Sequence, residues 1–89
     1  MTEEIRQFII KALAQMKFDV SGVDGSTSLG PAGLDLESLV VADLAIQIED
    51  TYGVRIDEDE MERVAMMTID EVATEVAGRI AVPSGSKAE

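Results

Sequence analysis

The chain contains neither cysteine nor histidine. Without cysteine there is no disulfide, no thiolate metal site and no nucleophilic thiol, and without histidine the commonest general base is missing. Most enzyme classes go with these side chains. Basic residues are scarce as well: 7 Lys and Arg face 18 Asp and Glu, a formal net charge of −11. Sequence-independent binding to nucleic acid rests on Lys and Arg neutralising phosphates, so the partners to expect are basic proteins. No apolar run approaches the 18 or so residues of a membrane span, and Met1-Thr2-Glu3-Glu4 is acidic where a signal peptide would be basic. These features suggest a cytoplasmic protein with no membrane or nucleic-acid partner.

At 89 residues the chain is a single small domain with a thin core, yet 46% hydrophobic residues mark it as globular rather than as a disordered acidic segment. Ile5, Phe8, Ile9, Ala12, Leu13 and Met16 recur at three- and four-residue steps, which predicts a first helix with Thr2 as its N-cap and Glu3 and Glu4 in the first turn. From Lys17 to Asp35 the period vanishes and Gly22, Gly25, Gly30, Pro31 and Gly33 accumulate with Ser26, Thr27 and Ser28. Loops of that length are uncommon in compact domains and are often functional. Leu29 and Leu34 are the residues expected to pin it to the core.

A second helix is predicted from about Glu37 to Tyr52, with Val41, Leu44, Ala45, Ile48 and Tyr52 as its core stripe and Gly53 as its left-handed stop. Acids from Asp57 to Glu62 favour a helix start, and Met61, Val64 and Ala65 give a third helix of about two turns one short buried face. Thr68-Ile69-Asp70-Glu71 has the form of a capping box, and Ile69, Val72, Ala73, Val76, Ala77 and Ile80 follow at helical spacing. Pro83-Ser84-Gly85-Ser86 should end this fourth helix, dividing a folded domain over 1–82 from a tail over 83–89. The expected fold is all-α, a small bundle of three main helices and one short helix.

On the second helix Leu39, Asp43, Ile46 and Asp50 project opposite the core stripe. A scattered exposed Leu or Ile needs no explanation, but two among acids on a helix with a complete core face suggest a docking surface. Ser38 stands at the start of that helix, directly after the long loop. A serine there is most often a cap, and a phosphate ester on its hydroxyl would lie beside unpaired N–H groups at the positive end of the helix dipole.

The stretch Leu34-Asp35-Leu36-Glu37-Ser38-Leu39, continuing through Asp43-Leu44, Ile48-Glu49-Asp50, Tyr52-Gly53-Val54 and Ile56, resembles the attachment region of acyl carrier proteins. Helix order, the long loop before the serine, the acidic third helix, length and charge extend the resemblance over nearly the whole chain. It implies that Ser38 accepts 4'-phosphopantetheine from coenzyme A, through a separate magnesium-dependent phosphopantetheinyl transferase, and that the thiol of the arm carries acyl groups as thioesters. It further implies a monomer that meets acyl-loading and condensing enzymes through their basic patches. The docking residues it implies are Asp35, Glu37, Leu39, Val40, Asp43, Ile46, Gln47, Glu49 and Asp50.

Two positions depart from the family pattern. Glu37 stands where Asp usually precedes the serine, and its longer side chain is a poorer cap, which leaves Asp35 as the alternative. Val40, followed by Val41, replaces a residue often acidic or polar in fatty-acid carriers, pointing toward a polyketide or other specialised pathway such as antibiotic biosynthesis.

Other readings have their own signatures. Asp57 and Asp59 begin like an EF-hand loop, but Met61, Glu62 and Thr68 occupy the positions that would need an oxygen ligand, Gly and Glu, so no resident metal is expected. An unmodified acidic adaptor would use the same helix face and leave Ser38 a plain hydroxyl. Aminoacyl or aryl carriers of peptide assembly are generally less acidic than this chain.

Overall fold

A computed structural model of the chain describes residues 2–81. Its elements are α1 (Thr2–Gln15), α2 (Ser38–Tyr52), a 3-10 turn (Glu58–Glu60) that runs into α3 (Met61–Val64), and α4 (Ile69–Ala81). The described residues form a small all-helical bundle without strands, in which α1 lies along α4 while α2 packs on α3 and α1. The expected tail over 83–89 and the stop at Pro83 lie outside the described residues. Among those residues no helix is long and apolar enough to cross a membrane.

The core is one cluster made by the predicted stripes. Ile5, Ile9, Ala12 and Leu13 of α1 meet Val41, Leu44, Ala45 and Ile48 of α2 and Ile69, Val72, Ala73 and Val76 of α4, all of them buried. Tyr52 is half-buried rather than enclosed, and its ring meets Phe8 edge-on at 5.4 Å between centroids. The third unit is as short as its sequence implied, with Val64 buried and Met61 and Ala65 packed against the cluster.

The long loop gains its order from backbone pairing. The N–H groups of Leu29, Ile69 and Asp70 donate to Met67, Thr27 and Gly25 at 2.8–3.0 Å, and Ser28 bridges Thr68 in antiparallel fashion. Leu29 is fully buried and Leu36 nearly so, whereas Leu34 packs from the edge. Gly33 permits this path, because a Cβ there would overlap the backbone of Ser28.

Helix ends divide into predictable and unpredictable ones. Gly53 takes φ +72° and donates to Glu49 O, as its sequence position implied. Thr68 and Glu71 exchange both bonds of a capping box, at 2.9 and 3.1 Å. Thr2 is not the cap of α1 but its first helical residue. Asp35 does not cap α2: it takes φ +53°, its N–H donating to Gly30 O, and no side chain supplies the cap bond.

Candidate functional site

Ser38 is the first residue of α2 and is exposed. Glu37 precedes it in extended conformation, and its carbonyl accepts from the N–H groups of both Val40 and Val41 at 3.0 Å while its carboxylate makes no cap bond. Among the described residues the N–H groups of Ser38 and Leu39 therefore find no acceptor. At α4, by contrast, Thr27 O, Gly25 O, Thr68 Oγ1 and Thr68 O take the first four N–H groups. Two helix starts in one small domain are thus treated differently. Unpaired N–H groups and the dipole at α2 favour an oxyanion beside Ser38.

Beside this hydroxyl opens a cleft of about 880 Å³ between the start of α2 and the α3 unit. Leu36, Val41, Met61, Ala65 and Met66 give it an apolar lining, and Glu58, Asp59, Glu62 and Arg63 stand among its lining residues as well. An apolar chain tethered at Ser38 could lie on the first group, with its removal from water favouring the contact. A second, smaller groove of about 440 Å³ runs between Arg63, Met67 and the outer face of α4, away from Ser38.

The residues expected to dock partners separate into two sets. Leu39 is 78% and Ile46 56% exposed, and Asp35, Glu37, Asp43, Glu49 and Asp50 are exposed around them. Val40 and Gln47 are only half-buried flanks, and Val40 packs against the core. The apolar character at position 40 thus adds to packing more than to the exposed face.

Sequence reasoning missed two features. Met66 is 65% exposed on the far side of the cleft from α2, a position signalled only by the spacing of Met61, Ala65 and Met66. The other is a charged hub: Arg79 donates to Glu75 Oε2, to Glu60 and to the carbonyl of Arg55. Its trace in the sequence is the four-residue step from Glu75 to Arg79. The Arg79 guanidinium, then the Asp57 N–H, hold the Glu60 carboxyl at about 2, well below its ordinary range. No protein-family model, no curated protein and no solved structure matches the chain.

Proposed function

We propose that the chain is an acyl carrier protein whose Ser38 receives 4'-phosphopantetheine. The observation that carries this reading is an exposed hydroxyl at the start of α2, which no side chain caps, beside an apolar-lined cleft. The residues present fit the group: the N–H groups of Ser38 and Leu39 can donate to a phosphodiester oxygen, and Ser38 can present its hydroxyl to a second protein. In the transfer the Ser38 Oγ–P bond forms as the pyrophosphate P–O bond of coenzyme A breaks. The adenosine bisphosphate leaves, and the hydroxyl proton passes to a base of the magnesium-dependent transferase. When attached, the group supplies a thiol that holds fatty-acyl or polyketide cargo as a thioester, which accounts for a carrier without cysteine.

The chain's own contribution is to present and to be recognised. Asp35, Glu37, Asp43, Glu49 and Asp50 place negative charge around Leu39 and Ile46, which suits a transferase, loading or condensing enzyme bearing Lys or Arg around an apolar dimple. The protein acts as a cytoplasmic monomeric shuttle and not as an enzyme.

Intact mass after incubation with coenzyme A, magnesium and a broad-specificity phosphopantetheinyl transferase tests the reading. One adduct is expected on the native chain and none on Ser38→Ala, with the helical circular-dichroism signal retained. The loss of a serine at this position costs at most about 1 kcal/mol. No adduct on the native chain would favour the unmodified adaptor, and loading of the variant at Ser21, Ser26 or Ser28 would overturn the assignment.

A further inference from the structure

The wall of the cleft opposite α2 belongs to the element with least to hold it. From Glu58 to Val64 the chain buries one side chain, Val64, and α3 itself is four residues long. With Met61 and Ala65 packed only partly against the cluster, that is little apolar contact to hold a helix on the bundle. The same segment nevertheless supplies Glu58, Asp59, Met61 and Glu62 to the cleft lining, and its position sets the width of the opening beside Ser38.

What ties this wall down comes from α4. Arg79 uses all five of its N–H donors: Nε and Nη2 on Glu75 Oε2 at 3.0 and 2.8 Å, Nη1 and Nη2 on the two Glu60 oxygens at 3.1 and 2.5 Å, and Nη1 on the Arg55 carbonyl at 2.8 Å. One guanidinium therefore joins α4, the 3-10 turn and the link after α2. Glu60 in turn accepts the Asp57 N–H at 2.9 Å, closing the start of the turn, and stands between the cleft residues Asp59 and Met61. Isolated surface ion pairs contribute little, but a bidentate fork within a network, with both side chains about one quarter exposed, has the geometry that does contribute.

We infer that Arg79 is a positioning residue that clamps α3 through Glu60, holds the cleft narrow, and so limits the length and bulk of the apolar chain that can enter beside Ser38. The identity of that chain as acyl cargo rests on the carrier reading; the clamp does not.

Amide hydrogen exchange and binding of the neutral dye Nile red, both on the full unmodified chain, test the clamp. In Arg79→Gln, exchange across residues 58–67 should rise roughly tenfold, in line with losing charge-assisted bonds, while α1 and the first turns of α4 keep their native rates. Dye binding should strengthen several-fold as the wall gives. Arg79→Lys should fall between the two, since a point charge cannot reproduce the fork. If Arg79→Gln does not fold, Glu60→Gln attacks the same clamp from the other side and must give the same localised pattern. Exchange that rises equally in α1 and α4, or that stays native across residues 58–67, would overturn the inference. Neither readout needs Ser38 to be loaded, so a missing phosphopantetheine adduct would remove the carrier reading and leave this one standing.

Discussion

Lys17 takes φ +76°, the left-handed conformation that a glycine usually supplies at a helix end. Around it the N–H groups of Lys17 and Phe18 donate to Ala14 O and Leu13 O at 3.0 and 3.1 Å, the double closure of a Schellman motif. Phe18 packs on the core cluster that contains Leu13, so the apolar contact typical of the motif holds a residue type that the backbone disfavours. A left-handed conformation costs an L-residue about 1–2 kcal/mol, against about 0.5–1 kcal/mol for the extra chain entropy of glycine. Lys17→Gly should therefore stabilise the domain by up to about 1 kcal/mol, read as a higher urea midpoint at unchanged slope. A lower midpoint would mean that the lysine stem contributes packing worth more than the strain. The same reasoning explains why some ends are legible and others are not. Gly53 and the Thr68–Glu71 pair satisfy backbone groups by local rules, whereas Lys17 and Asp35 are forced by Phe18 and by the turn from Gly30, which local sequence does not announce.

Among the elements, the faces of α2 were legible because a 3.6-residue period assigns each side chain to one of them. Val41, Leu44, Ala45 and Ile48 are buried while Leu39, Asp43, Ile46 and Asp50 are exposed, so changes on the second set should spare the fold. Asp43→Lys should slow association with the transferase and flatten its salt dependence, and Ile46→Ala should mainly speed dissociation, as stopped-flow kinetics can separate. An unchanged association rate for Asp43→Lys would remove this face from the encounter. The α3 unit was less legible, since two turns give too few repeats to define a face and its real anchor, Arg79, lies 19 residues beyond Glu60. That anchor has a pH signature. With the Glu60 carboxyl lowered from about 4.5 to about 2, its contribution is fully present above about pH 4.5 and is lost as pH falls toward 2. The difference in Tm between the native chain and Glu60→Gln should be constant from neutral pH down to the upper end of that window and close within it. A difference that persists at its acid end would assign the effect to shape rather than to the ion pair.

At the scale of the whole molecule, apolar pattern gives the bundle and charge sets its environment. Between Asp35 and Glu62 stand ten acids and one base, leaving nine of the eleven net negative charges on the stretch that runs from the end of the long loop through α2 into α3. The long loop was legible as a loop but not in its path, which is decided by pairing with the α3–α4 junction across some forty residues of sequence. Attraction and repulsion in this charge distribution act over different distances. Arg6, Arg55 and Arg79 touch Asp70, Asp57 and Glu60 at 2.5–3.1 Å, far inside the screening length of about 8 Å at 0.15 M salt. Repulsion among carboxylates spread over two helices reaches further and is felt most when that length is about 30 Å, at 0.01 M. Raising monovalent salt across this range should therefore remove more repulsion than attraction, and Tm should rise. Magnesium or calcium should raise it further, because a divalent ion concentrates more strongly at a crowded acidic surface. A Tm that stays flat or falls between 0.01 and 0.15 M salt would mean that the contact pairs, Arg79 with Glu60 foremost, outweigh the repulsion of the acidic half.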